Sequence, residues 1–173
     1  VEDLLDGARA STGKFRLERT RIDMNAILRQ AVETCGPAMQ ARHQQFNIRL
    51  LPFVFEVDGD AMRLTQVMVN LLDNASKYTP NQGWITLEAT VEDGRLSISV
   101  ADNGIGVTPD ALPRIFDLFE QEPHARAFHS GGLGIGLSIV RELTEAHGGT
   151  IVARSSGQGL GSEFIVTLPG ACQ

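Results

Sequence analysis

Residues 60–77 carry apolar side chains on one face of a helix along their whole length. These are Ala61, Leu64, Val67, Met68, Leu71, Leu72 and Ala75. They recur at the 3.6-residue period of an amphipathic helix. Pro80 follows soon after, and a proline disfavours further helix. Because a helix with one apolar stripe must bury it against a second layer, the rest of the chain must supply that layer.

The remaining sequence predicts two further helices and several short strands. Helical spacing predicts helices over residues 23–42 and from about 134 to 147. Alternating apolar residues predict strands over residues 14–23, 46–50, 54–57, 85–91, 96–100, 150–153 and 162–168. This order favours an α/β sandwich with a mixed, mostly antiparallel sheet of about five main strands. Three long helices are expected to pack on one face of that sheet.

The composition is that of one soluble domain. The chain has 173 residues, of which 42% are hydrophobic and 21% charged. The net charge of -6 weighs against nucleic-acid binding, which needs a basic face. We see no signal peptide and no apolar run near the ~18 residues that span a bilayer, so a cytoplasmic domain is expected. The first residue is Val1, and we expect a fragment of a longer protein.

A first cluster of polar residues lies on the helix predicted over residues 60–77. Asn70, Asn74 and Lys77 recur at i, i+4 and i+7, so they share one helical face. Amide oxygens can bind a divalent metal, and a lysine can neutralise phosphate charge. A polar face that only meets solvent would have the same spacing, and this cluster alone leaves both interpretations open.

A second cluster directly follows the strand predicted over residues 96–100. Asp102 is followed by Asn103 and by the glycines Gly104 and Gly106. A carboxylate followed by Gly-x-Gly allows close approach of a ligand to the backbone. An ordinary turn has a similar sequence, so this cluster is also ambiguous when taken alone.

A third cluster, residues 131–137, opens the last predicted helix with four glycines in its first six residues. Free amides at the positive end of a helix form a cradle for phosphate. No predicted strand precedes these glycines, which excludes a Rossmann motif, and no Gly-Lys-Ser/Thr follows them, which excludes a Walker A loop. Residues 103–134 show little periodicity, and so long an irregular stretch indicates a functional lid.

Together the three clusters resemble the nucleotide-binding boxes of the histidine-kinase branch of the GHKL ATPase superfamily. Residues 70–77 resemble the N box, 102–106 the G1 box, 115–119 the F box and 132–136 the G2 box. The closing strand is matched by Gly159, Gly161, Ser162, Phe164, Leu168 and Pro169. The resemblance covers about residues 14–169 and implies the Bergerat form of the sandwich.

The resemblance also implies a domain plan. Residues 1–13 would be the end of a dimerisation hairpin and its linker. Residues 14–173 would form the ATP-binding catalytic domain, with the lid at about residues 107–131.

The resemblance implies ATP and Mg²⁺ as cofactors. Asp102 would accept a hydrogen bond from the adenine amino group. Asn74 would be the first metal ligand with Asn70 beside it, Lys77 would meet phosphate, and Tyr78 would flank the base or the ribose. The other nucleotide-binding residues implied are Gly104, Ile105, Gly106, Gly132, Leu133, Gly134, Ile135, Gly136 and Leu137. Phe116 and Phe119 would anchor the lid, although ordinary core aromatics would have the same pattern.

Asn70 narrows the expected reaction. Hydrolytic relatives, the type II topoisomerases and MutL-type repair proteins, carry a water-activating glutamate one helical turn before the metal-binding asparagine. An asparagine cannot act as a general base at neutral pH. The sequence therefore predicts phosphoryl transfer with weak or no hydrolysis, driven by positioning and charge, and it assigns no certain catalytic residue.

None of the four histidines, His43, His124, His129 and His147, is followed by an acidic residue as a phosphoacceptor usually is. We therefore expect the acceptor on an upstream dimerisation domain of the same protein. A response regulator receiver domain would follow in the pathway. The fragment is expected to be monomeric and its parent a homodimer, with an inner-membrane sensor kinase as one candidate parent.

Two alternatives stay open at this stage. One is a regulatory pseudokinase module that binds ATP without transferring phosphate. The other is an anti-sigma-type serine kinase, which shares the same boxes. The linker-like start favours the sensor kinase.

Overall fold

The structure, a computed structural model, describes residues 16–117 and 135–171. Its elements, in chain order, are β1 (Thr20–Asp23), α1 (Met24–Ala41), β2 (Gln45–Arg49), β3 (Glu56–Gly59), α2 (Ala61–Lys77), β4 (Trp84–Glu92), β5 (Arg95–Asp102), a single 3-10 turn (Leu112–Arg114), α3 (Ile135–Ala146), β6 (Thr150–Arg154) and β7 (Ser162–Pro169). No helix in these described ranges is long and apolar enough to span a membrane.

Five strands form the main sheet in the order β2-β4-β5-β7-β6. The β2–β4 pair is parallel and the other three pairs are antiparallel, which confirms the predicted mixed sheet. Alternate residues of β5 and β7 are buried, so one face of the sheet meets the core. The β4–β5 turn places Asp93 and Gly94 at φ angles of 53° and 73°. Positive φ at both central residues is what a tight two-residue hairpin requires to match the right-handed twist of its strands.

The helices cover the buried face of this sheet, with α2 packed between α1 and α3. Asp23 and Asp60 begin α1 and α2 by accepting hydrogen bonds from backbone N–H groups in the first turn. The largest fully buried side chains are Met24, Leu28, Met39, Leu64, Met68, Leu71, Leu72, Ile85, Leu87, Leu96, Ile98 and Ile139. The apolar stripe predicted on residues 60–77 is therefore the centre of the core.

Some features differ from the sequence prediction. β1 and β3 pair only with each other, in a separate two-stranded antiparallel sheet. β3 also begins two residues later than the predicted strand over 54–57. The Asn25 side chain donates hydrogen bonds to the carbonyls of Leu51 and Phe53, so the segment before β3 is held to the start of α1.

The segment before β1 was predicted as strand from residue 14, but its described residues 16–19 are not. The backbone N–H of Glu18 donates to Asp60 Oδ2 at 3.0 Å. The Arg19 guanidinium donates to the carbonyl of Ala146 at 2.6 Å, at the end of α3, and to that of Asp58 at 3.3 Å. This segment is therefore anchored by side-chain contacts to the start of α2 and the end of α3.

Candidate nucleotide-binding site

The polar face of α2 lies at the edge of the core, as its spacing predicts. Asn70, Asn74 and Lys77 are half-buried, while Leu71, Leu72 and Ala75 between them are buried. Neither asparagine side chain hydrogen-bonds another described residue. Two amide oxygens one helical turn apart are therefore available to a ligand.

Asp102 ends β5 and turns its carboxyl group toward the helical layer. Only 7% of the residue is exposed. Oδ1 accepts from the backbone N–H of Gly104 at 2.8 Å, and Oδ2 accepts from the Ser162 hydroxyl at 3.0 Å. Burial raises the pKa of Asp102, and the hydrogen bonds from Gly104 and Ser162 partly oppose that rise. Two donors leave lone pairs on both oxygens, so the group can still accept from a ligand.

The backbone joins this carboxylate to the end of α2. The N–H of Ile105 donates to the carbonyl of Tyr78, the C-cap residue of α2, at 3.1 Å. A Cβ on Gly104 would collide with that same carbonyl oxygen. Gly104 is therefore a glycine because two backbones meet there. The sequence analysis instead predicts that this glycine allows a ligand to approach the backbone.

The loop between β6 and β7 supports the same turn from its other side. Gly159 N–H donates to Ile105 O at 2.6 Å, and Gly161 N–H donates to Gly104 O at 3.0 Å. Gly106 has a φ of +71°, and a Cβ on it would collide with the Gly157 carbonyl. The turn of residues 102–106 is thus held between α2 and this loop.

Comparison with known proteins shows the family to which the chain belongs. Residues 59–171 match the family described as "Histidine kinase-, DNA gyrase B-, and HSP90-like ATPase". The chain belongs to this ATPase family. The predicted resemblance and the predicted Bergerat fold are therefore confirmed, and the described α2 face and Asp102 turn belong to an ATP-binding domain.

Individual relatives lie in the kinase branch of the family. The chain is 35% identical over 169 residues to histidine protein kinase DivJ of Caulobacter vibrioides. It is 34% identical over 174 residues to sensor histidine kinase WalK of Bacillus subtilis. Each alignment covers 98% of this chain and 28% of the relative, so the chain spans just over a quarter of the length of either protein.

Solved structures agree with these relatives. Full-length ShkA in complex with AMPPNP superposes with a TM-score of 0.82 at 33% identity, covering 99% of this chain and 35% of that one. The mycobacterial sensor histidine kinase MprB superposes with a TM-score of 0.79 at 25% identity, covering 89% and 100%.

Lys77 has a partner that sequence reasoning missed. Its Nζ atom lies 2.9 Å from Asp73 Oδ2, one helical turn back. Both side chains are more than a third exposed, so water screens the pair and the lysine is weakly held. The i, i+4 spacing of acid and lysine was the available signal.

Ser162 is the other residue that the sequence did not assign. It was part of the closing-strand motif, yet its position opposite Asp102 in the β5–β7 register is what brings its hydroxyl to the carboxylate. Strand pairing, which the sequence does not specify residue by residue, was the missing information.

The metal expected in this ATPase family can be tested against the donors present. No group of three or more His, Cys, Asp or Glu side chains in residues 16–117 and 135–171 could hold a metal alone. Asn70 and Asn74 offer amide oxygens instead. Mg²⁺ commonly binds through one or two protein oxygens with substrate phosphates and water, and this donor set fits that mode.

Phe116 lies in the described part of the segment predicted as a lid. Its ring meets Phe164 edge to face with centroids 6.0 Å apart, and the Arg141 guanidinium lies 5.9 Å from its centroid. Val107, Ala111 and Ile115 of the same segment are buried in the core, so these side chains anchor residues 107–117 to the domain. Of the predicted lid, residues 118–131 lie outside the described residues, and Phe119 is among them.

The described part of the third glycine cluster begins with α3. Gly136 and Leu137 lie in its first turn, and a Cβ on Gly136 would meet nothing within 4 Å. Packing against the described residues therefore does not explain this glycine. Gly132, Leu133 and Gly134 lie outside the described residues, as do residues 1–13, His124 and His129, and only the backbone of Ile135 is described.

Proposed function

We propose that this chain is the catalytic domain of a sensor histidine kinase, which transfers the γ-phosphoryl group of ATP to a histidine on an upstream domain. The observation that carries the proposal is the pairing of a buried acceptor, Asp102, with a helix face that bears Asn70 where hydrolytic relatives bear glutamate. The similarity to DivJ and WalK supports the same branch.

Asp102 would select adenine by accepting a hydrogen bond from its amino group. Guanine presents an oxygen at that position, and two acceptors facing each other in a buried site repel. A buried polar group left without its partner costs roughly 1–3 kcal/mol. The Gly104 and Ser162 hydrogen bonds hold the carboxylate in one orientation, which favours discrimination between bases.

The phosphates would lie between α2 and the start of α3. Asn74, with Asn70 beside it, would hold Mg²⁺, and Lys77 would exchange Asp73 for phosphate. The free amides at the start of α3, near Gly136, would bind the phosphate oxygens. When bound, Mg²⁺ neutralises phosphate charge and orients the transferred group.

Asn70 and Asn74 cannot take a proton from water, so the chain binds and orients ATP without activating a hydrolytic nucleophile. The acceptor imidazole would attack the γ-phosphorus, and the bond to the ADP oxygen would break. Positioning and charge stabilisation are the main contributions of a protein to such a transfer.

The remaining partners follow from this function. We propose an upstream dimerisation and phosphoacceptor domain, a homodimeric parent and a response regulator receiver domain downstream. The isolated chain would be a cytoplasmic monomer, and an inner-membrane sensor kinase would be its parent.

A transfer assay tests the proposal. This chain, γ-labelled ATP and Mg²⁺ are mixed with the separately produced upstream domain of the parent. We expect label on that domain, none on a version whose acceptor histidine is replaced by glutamine, and little free phosphate from the chain alone. Tight ATP binding without transfer would overturn the kinase assignment. Rapid ATP hydrolysis would instead assign the chain to the hydrolytic branch of the family.

A further inference from the structure

The loop between β6 and β7, residues 155–161, is named here the glycine loop. It carries three glycines with positive φ, namely Gly157, Gly159 and Gly161. It contacts the turn of residues 102–107, named here the adenine turn, through the hydrogen bonds of Gly159 and Gly161. A Cβ on Gly161 would collide with the Asp102 carbonyl, so the two backbones are in direct contact.

Ser155 lies at the point where the glycine loop leaves β6. Its Oγ donates to the Gly161 carbonyl at 2.7 Å and accepts from the Val107 N–H at 3.0 Å. The Gly157 N–H also lies 3.3 Å from this oxygen. One hydroxyl, with one donor and two acceptor sites, therefore closes the glycine loop and ties it to the last residue of the adenine turn.

Side-chain packing does little to hold the middle of this loop. The loop borders an open groove of about 420 Å³ whose lining includes Ser155, Ser156 and Leu160. Leu160 is 66% exposed, and a Cβ on Gly159 would meet nothing within 4 Å. Glycine backbone has the greatest freedom of any residue, so the loop depends on hydrogen bonds for its conformation.

We propose that Ser155 is a positioning residue for adenine recognition. This inference rests on the proposed function of Asp102. Ser155 fixes Gly161, whose neighbour Ser162 donates to Asp102 Oδ2, and it fixes Val107 at the other end of the adenine turn. Through these two contacts Ser155 orients the Asp102 carboxylate without itself touching the base.

Three variants of the chain separate this role from simple stability. Ser155→Ala removes the hydroxyl, and Ser155→Thr retains it. Ser156→Ala is the matched control, because Ser156 is exposed and hydrogen-bonds no other described residue. Calorimetric titration with AMPPNP and with GMPPNP, both with Mg²⁺, gives the affinity and the preference for adenine.

We expect Ser155→Ala to bind AMPPNP about fivefold to tenfold more weakly, the effect of losing one or two neutral hydrogen bonds. The preference for AMPPNP over GMPPNP should narrow, because a carboxylate free to move discriminates less. Ser155→Thr should restore both quantities, and Ser156→Ala should match the wild type.

Two results would overturn the role of Ser155. One is wild-type affinity and preference in folded Ser155→Ala. The other is an equal loss for both nucleotides that threonine does not restore, since this would indicate a general structural effect.

Asp102→Asn separates this proposal from the function on which it rests. If Asp102→Asn loses AMPPNP binding while Ser155→Ala binds normally, only the Ser155 proposal fails. If Asp102→Asn binds as the wild type does, the adenine assignment fails and the Ser155 proposal fails with it.

Discussion

The Nε2 atom of His147 accepts a hydrogen bond from the backbone N–H of Asp60 at 3.0 Å. Its other ring nitrogen, Nδ1, lies 2.7 Å from the Leu143 carbonyl and must be the protonated one. The neutral imidazole therefore joins the end of α3 to the start of α2. These are the two helices to which the proposed function assigns the phosphates.

This contact predicts a pH dependence of stability. Burial lowers the pKa of His147, with Arg19 adding to the effect and the Leu143 carbonyl and Asp60 opposing it. The unfolded imidazole titrates near about 6.5, so the unfolded state binds the proton more readily. The stabilisation is complete above that pH and is lost as the pH falls below it.

Urea unfolding between pH 5 and 8 measures this dependence. We expect the free energy of unfolding to decrease below about pH 6.5 in the wild type. His147→Gln keeps an acceptor for the Asp60 N–H but does not titrate, so its profile should be flatter. Equal slopes for the two proteins would show that His147 is not the responsible group.

Asp102→Asn should weaken ATP recognition without unfolding the chain. Burial raises the pKa of Asp102, which means that the buried charge lowers stability at neutral pH, and the amide should be at least as stable. Loss of a charged acceptor is worth about 1.5–3 kcal/mol, or roughly 10-fold to 150-fold in affinity. Calorimetric titration with AMPPNP, paired with a thermal melt, checks both statements, and a lower melting temperature would contradict the second.

Gly104→Ala should destabilise the domain. The added Cβ would meet the Tyr78 carbonyl oxygen and lie 2.9 Å from Asp102 Oδ1. Overpacking of this kind costs about 1–3 kcal/mol, or a fall of several degrees in Tm. The control is Gly136→Ala, where the Cβ meets nothing within 4 Å and alanine should stabilise the helix. Similar melting temperatures for the two variants, measured without nucleotide, would disprove the backbone contact at Gly104.

Asp73→Asn should release Lys77. Because the ion pair is exposed on both sides, stability should change by at most about 1 kcal/mol. A free lysine should raise ATP affinity about twofold to threefold at low salt, an advantage that disappears as salt screens the charges. Glu33→Gln removes the same charge from the exposed face of α1 and should leave affinity unchanged. Weaker binding by Asp73→Asn would instead indicate that the carboxylate helps to hold the metal.

The sequence predicted those features that depend on residues close together in the chain. The α2 stripe is a local pattern and has the predicted form, and the Asp93-Gly94 turn is likewise a local feature that is typical of a tight hairpin. Asp102 could be identified because a carboxylate directly after a strand is visible without knowledge of the sheet. The family resemblance then added the order of the boxes.

The features that were missed depend on residues far apart. Ser155 meets Val107 across 48 positions, and Ser162 meets Asp102 across 60. Asn25 binds carbonyls 26 and 28 residues away, which holds the segment before β3 to α1. A pattern of alternating residues also cannot show which sheet a strand joins, which is why β1 and β3 were not separated from the main sheet.

The parallel pairing of β2 with β4 bears on how the chain folds. Gln45 lies opposite Trp84, and a parallel pair cannot close through a tight turn. The crossover between the two strands contains α2. Contacts so distant in sequence form slowly, and this edge of the sheet cannot be completed until α2 has been brought across it. We therefore expect the helix that bears Asn70 and Asn74 to gain protection from hydrogen exchange together with β2, as one cooperative unit.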